Sequence, residues 1–191
     1  MEKPLLIIVN GLPGSGKTTL ARRLATDLQL PVFARDGLYE FLHDALECTS
    51  NGEPPLLGLI SFKLLYSIAG SLLAVGKPLV VEGFFGRPDL RGAEFRQLQQ
   101  QHNFEPFQIL CQADGTVLLE RFMARMQSIE RHSGHSDQAW IEENKERLLK
   151  GKLTPLPLDG QLIEIDTTTP QSLDYPNLLQ HVQTALTPTI K

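Results

Sequence analysis

The 191 residues are 41% hydrophobic and 21% charged, a composition that fits one ordinary globular domain with a proper core. Eighteen Lys and Arg against 22 Asp and Glu leave a net charge of −4, which excludes a global basic field for holding long nucleic acid but leaves room for a small anionic ligand gathered by a local cluster. Two widely separated cysteines, Cys48 and Cys111, outside any paired metal-ligand spacing, read as reduced structural thiols and point to a cytoplasmic chain.

The first apolar run, Leu5 to Val9, is too short for a signal-peptide core and reads as a buried strand. It runs into Gly11-Leu12-Pro13-Gly14-Ser15-Gly16-Lys17-Thr18, which fits the phosphate-binding pattern G-x-x-x-x-G-K-[ST] in its required setting, after a strand and before a helix. Glycines let such a loop curl until successive backbone N–H groups face phosphate oxygens, and the helix N-terminus adds donors and partial positive charge. Lys17 then reaches the β/γ-phosphates, the Thr18 hydroxyl ligates Mg²⁺, and Thr19 completes the motif. The bland alternative is a glycine-rich turn before any helix, expected at Lys17 to Gln29.

Pro31 to Ala34 reads as the second strand, followed by Arg35, Asp36 and a helix to Leu46. Asp36 has two readings, a helix N-cap or a general base for a hydroxyl that attacks the γ-phosphate; Arg35 beside it suits an anionic acceptor. Tyr39, Glu40 and His43, with Phe62, Lys63 and Tyr66 from the next helix, are candidate walls of an acceptor pocket. That next helix, Leu56 to Val75, has the length of a membrane span but carries Lys63, three serines and two glycines. Its apolar positions Leu57, Ile60, Leu64, Ile68 and Leu72 repeat at helical spacing, so it is expected to pack on a sheet rather than enter a membrane.

The third strand, Pro78 to Val81, ends at Glu82, where a P-loop protein places the acid that holds Mg²⁺; an ordinary charged strand end is the alternative. Arg87 and Arg91 follow, either on a substrate or on solvated surface, the latter in a helix from Asp89 to Gln100. After a fourth strand, Pro106 to Cys111, a helix from Thr116 to Ser133 places Arg121 and Arg125 on one face, as cations over transferring phosphates require. His132, His135 and Asp137 raise a metal reading, but a polar lid turn that brings Arg131 over the nucleotide is preferred for want of further ligands. A helix from Asp137 to Lys150, a strand from Leu162 to Ile165 and a helix from Asp174 to Leu186 complete a βαβα order, and thus a mostly parallel sheet with helices on both faces.

With these motifs the chain resembles the small P-loop kinases of adenylate-kinase-like architecture, in particular the group that includes the 5′-hydroxyl polynucleotide kinase domain, chloramphenicol phosphotransferase and the zeta toxins. The resemblance rests on the GLPGSGKTT loop, Asp36 after strand two, the Arg121 and Arg125 helix, and IEIDTTTP at the last strand. It implies a three-layer α/β fold with a five-stranded parallel sheet of order 2-3-1-4-5, one domain over residues 1–191 and a short helical lid near 121–150. It further implies that Asp36 is the base, that Arg125 stabilises transferring phosphate, and that Arg121 and the Asp166-Thr167-Thr168 turn border the adenine. Glu82 stands where many relatives carry aspartate.

The expected activity is ATP- and Mg²⁺-dependent transfer of phosphate to a hydroxyl of a small molecule or nucleotide, with Lys17, Asp36 and Arg125 catalytic and Arg35, Asp36, Tyr39 and Arg87 on the acceptor. Neither long nucleic acid nor a membrane is expected as a partner, and the protein is expected as monomer or homodimer. The alternatives are an NTPase that drives a partner, for whose extra helical domain the length leaves little room, and a toxin-like module.

Overall fold

Five parallel strands form the middle layer in the order β2-β3-β1-β4-β5, as the resemblance implies, in a computed structural model that describes residues 3–187. They are β1 (Leu5–Gly11), β2 (Val32–Ala34), β3 (Leu79–Gly83), β4 (Glu105–Gln112) and β5 (Gln161–Asp166). Between and after them run α1 (Lys17–Leu28), α2 (Arg35–Ala45), α3 (Cys48–Asn51), α4 (Leu57–Ala74), α5 (Pro88–His102), α6 (Gly115–Met126), α7 (Asp137–Leu149) and α8 (Tyr175–Leu186).

The central strand is buried along its whole length because it is covered on both faces, which explains its unbroken apolar run. Strand alternation divides its side chains: Leu5, Ile7 and Val9 pack with Leu20 and Leu24 of α1 and Leu178 and Val182 of α8. Leu6 and Ile8 pack on the other face with Leu65 and Ala69 of α4 and Phe95 and Leu98 of α5. Because all strands are parallel, their carboxyl ends share one edge, and Lys17, Asp36, Glu82 and the start of α6 converge there.

Two sequence expectations need correction. The buried stripe of α4 is Leu57, Phe62, Leu65, Tyr66, Ala69 and Leu73, while Ile60 is 46% exposed and Leu64, Ile68 and Leu72 are only partly buried. A helix apolar nearly all round offers competing registers, and the one that buries two aromatic rings is the one adopted. This helix is long and apolar enough to cross a membrane by length and composition, but here it lies against β3, α2 and α5. The helix expected from Thr116 to Ser133 ends at Met126, after which residues 127–136 form a loop. A short α3 follows α2, and Cys48 at its start is buried with Tyr39 and Leu57. Asp114 and Asp174 cap α6 and α8, accepting from backbone N–H groups of their first turns.

Candidate active site

The loop between β1 and α1 has the backbone its glycines demand. Gly14 and Gly16 lie at φ 83° and 73°, left-handed values that favour glycine. A Cβ on Gly11 would sit 2.5 Å from Ser15 Oγ and 2.7 Å from the Cys111 carbonyl oxygen. Asn10 accepts from the backbone N–H of Gly11 (2.9 Å) and of Phe85 (3.0 Å), tying the loop's root to the turn after β3. At the helix start Lys17 is 4% exposed, with Nζ 3.7 Å from Glu82 Oε1. Burial pushes the Glu82 carboxyl above its ordinary range, and the Asp36 charge adds to this; Lys17 and the nearby Thr18 hydroxyl pull the other way. Thr18 and Glu82 thus bring two oxygen donors to one place, the hard ligand set that Mg²⁺ takes. Thr19 is exposed on α1.

The last strand closes the loop from behind. Arg121 donates to the Thr167 and Thr168 carbonyls (3.0 and 2.9 Å) and to the Gly14 carbonyl (3.4 Å), and the Thr167 hydroxyl donates to the Ser15 carbonyl at 2.9 Å. Arg121 therefore joins the phosphate loop to the Asp166-Thr167-Thr168 turn, where Asp166 accepts from the Thr168 N–H at 2.8 Å. Cys111, at the end of β4, is a free thiol that burial pushes up to about 12, which keeps it protonated; Cys48 is free and buried too.

Asp36 is not a helix cap. The helix begins one residue earlier, Ala34 holds the cap position, and Asp36 lies in the first turn, paired with Arg35 at 3.0 Å. Burial would raise its carboxyl, but Lys17 and Arg35 outweigh that and hold it below the ordinary carboxylate range. Arg35 also donates to the Gly58 carbonyl and lies over the rings of Phe62 and Tyr39, at 4.8 and 5.1 Å.

The loop after α6 folds back onto α2. Tyr39, its hydroxyl pushed up to about 12 by burial and by Glu53, donates to the Gly134 carbonyl at 2.8 Å. His135 Nε2 lies 2.6 Å from Glu40, and His132 Nε2 lies 3.0 Å from Asp44. His43, Asp44 and His132 come close enough to suggest a metal triad. However, His132 Nδ1 accepts from the Gly134 N–H at 3.1 Å, so Nε2 carries the proton and donates to Asp44. The cluster ties the loop after α6 to α2. Arg131 is held by Asp137 through two bonds of 2.5 and 2.6 Å.

The segment 131–143, α2 and the phosphate loop line a cavity of about 500 Å³. Lys17, Arg35, Asp36, Tyr39, Phe62, Arg125 and Arg131 all face it, with Phe84, Phe122 and Trp140 forming an aromatic wall. Arg125 is lodged beside Phe122, its Nε buried without a partner among the described residues. Burial and the neighbouring Arg131 lower its pKa, opposed by Asp137, Asp36 and Glu40. Other candidates fall elsewhere. Arg87 is exposed at the start of α5, outside the cavity. Lys63 and Tyr66 line a separate depression between α4 and α5, where both contact Glu94. Arg91, almost buried, pairs with Glu94 at 2.6 Å. Trp140, His135 and Glu143 reach the cavity from the lid and were not singled out as walls; only the lone tryptophan, on the helix after the histidine turn, offered a signal.

A family model described as "AAA domain" matches residues 6–148. An uncharacterized protein of Mycobacterium tuberculosis (strain ATCC 25618 / H37Rv) is 31% identical over 129 residues, 63% of this chain and 25% of its own length. An uncharacterized protein of Mycobacterium bovis matches with the same values, so the chain spans about a quarter of the length of these curated relatives. Among solved structures, a "putative kinase" from Chloroflexus aurantiacus j-10-fl superposes with TM-score 0.87 at 36% identity, covering 97% of this chain and all of that one. A gluconokinase from Sinorhizobium meliloti 1021 (TM-score 0.56, 17% identity, covering 97% and 95%) shares the fold. So does a shikimate kinase from Acinetobacter baumannii (TM-score 0.50, 18% identity, covering 98% and 96%).

Proposed function

The chain belongs to the AAA domain family and has the P-loop kinase-like fold, and from that premise we propose that it transfers the γ-phosphate of ATP to a hydroxyl of a small molecule or nucleotide. The observation that carries this reading is the Asp36 carboxylate, kept ionised by Lys17 and Arg35, in one cavity with Arg125. A carboxylate so placed can accept the proton of a hydroxyl as its oxygen bonds to the γ-phosphorus and the bond to the β-phosphate oxygen breaks, releasing ADP.

Lys17 and the loop N–H groups hold the β/γ-phosphates, and Arg125 meets the charge on the transferring group. Mg²⁺ at Thr18 and Glu82 would neutralise phosphate charge during transfer. An enzyme that only hydrolyses ATP needs to seat one water, whereas about 500 Å³ walled by aromatic rings suits an organic acceptor better. Arg35 and Tyr39 are the acceptor contacts in this reading; Arg87, outside the cavity, is not. The small acceptor and the net charge of −4 both argue against long nucleic acid as partner.

The test is a panel of hydroxyl compounds incubated with ATP and Mg²⁺, read as ADP above the water-only background together with a phosphate monoester product. ADP release equal with and without every acceptor would support the NTPase alternative instead.

A further inference from the structure

We propose that His135, oriented by Glu40, reads a second hydrogen-bond donor on the acceptor, so that diols and amino alcohols are preferred to isolated alcohols; this inference rests on the kinase reading above. Glu40 lies four residues after Asp36 on α2 and therefore on the same helix face. Its carboxylate meets His135 Nε2 at 2.6 Å, across the joint between α2 and the lid loop. A carboxylate only accepts, so the proton of that bond belongs to Nε2. In its uncharged form such a ring presents Nδ1 as an acceptor.

That atom makes no hydrogen bond to any described residue, while the His135 ring lines the same cavity as Asp36. The ring is fixed on its other sides: Tyr39 lies 5.5 Å from it, centroid to centroid, and the preceding residue, Gly134, is held through its carbonyl by the Tyr39 hydroxyl. An acceptor hydroxyl that gives its hydrogen to Asp36 leaves Nδ1 unanswered. A ligand with a neighbouring hydroxyl or amine answers it, and one without leaves a polar atom enclosed and unpaired. Discrimination of about 10- to 100-fold in kcat/KM is the expected scale for one such bond.

The experiment uses matched pairs, 1,2-butanediol against 1-butanol and 2-aminoethanol against 1-propanol, phosphorylated by the whole protein with ATP and Mg²⁺ at a pH above the ordinary imidazole range. The wild type should prefer the first member of at least one pair, and which pair tells hydroxyl from amine. His135→Phe keeps a ring against Tyr39 but no nitrogen. It should bring the favoured member down to its partner and leave ATP affinity unchanged; His135→Gln, with an accepting oxygen, should keep part of the preference. Glu40 acts through His135, so Glu40→Ala should raise KM for the favoured member more than it lowers kcat, and Glu40→Gln should rescue it. A general loosening of the lid would slow both members alike and leave their ratio intact. A ratio unchanged in His135→Phe, transfer by the wild type without preference, or transfer to neither favoured member overturns this inference alone; the kinase reading stands or falls on the wider hydroxyl panel above.

Discussion

Lys17 Nζ and Glu82 Oε1 face each other at 3.7 Å with side chains only 5% and 2% exposed, so a buried cation and a buried acid lie side by side inside the protein. Removing one partner strands the other. Lys17→Ala should abolish ATP binding and cost about 3 kcal/mol of stability, the scale for breaking a buried pair. Adding Glu82→Gln should restore most of the stability and none of the binding. Glu82 already titrates above its ordinary range, and without Lys17 it should do so further. A buried acid with a raised pKa penalises folding above that pKa, and the penalty is relieved as pH falls through it. The stability deficit of Lys17→Ala should therefore shrink in acid. Calorimetric ATP titration and denaturant melts at two pH values read both effects, and near-normal ATP affinity in Lys17→Ala would remove the phosphate-loop assignment.

Arg125→Ala addresses a cation that faces the cavity without an ion-pair partner among the described residues. Charge that develops only during transfer is stabilised only then, so kcat should fall by about 10³-fold while ATP affinity changes little. Single-turnover phosphate transfer beside equilibrium binding separates the two. An equal loss in both would make Arg125 a ground-state contact instead.

For Asp36→Asn the expected loss of transfer is roughly 10²- to 10⁴-fold. Stability near neutral pH should fall modestly, by up to about 1 kcal/mol, since the residue is not a cap and its pair with Arg35 is partly exposed. Because the folded carboxyl titrates below the ordinary range, its contribution to stability is present above that range and is lost as pH falls through the folded value. The variant should accordingly melt with a shallower acid limb than the wild type. Full transfer activity in it would move the base elsewhere, with Glu82 next in line.

Arg121→Ala should look different from Arg125→Ala. Its guanidinium holds three backbone carbonyls, so its loss should destabilise the fold by about 2 kcal/mol, roughly 4–8 °C in Tm, and weaken ATP binding. kcat at saturating ATP should change less than KM. A thermally normal variant with collapsed kcat would place Arg121 on the transferring phosphate after all.

Much of the site was legible because its residues sit where backbone rules put them. Glycine positions in the phosphate loop follow from φ values and close approach, and Asp36 and Glu82 from strand ends on one edge of a parallel sheet. The lid was legible only in outline. Periodicity carries α6 to Ser133, yet it stops at Met126, because the following residues are held by His132–Asp44 and His135–Glu40 contacts that span 88 and 95 residues. Local patterns carry no record of such pairings. Arg87 illustrates the opposite error: a basic residue near the site in sequence faces solvent, while Arg131 and Trp140, distant in sequence, reach the cavity.

Thr167 donates to the Ser15 carbonyl across 152 residues, and this bears on the order in which the protein is made. The phosphate loop leaves the ribosome well before the threonine and the turn that brace it. A growing chain can thus pair β1 with β3 and β4 long before its loop has the backing of β5. Competence for nucleotide should arrive late and abruptly, with the emergence of residues 161–168, rather than rise in step with chain length. Ribosome-bound chains halted on either side of that segment should differ sharply in ATP retention, and an early onset of binding would show that the brace is dispensable during synthesis.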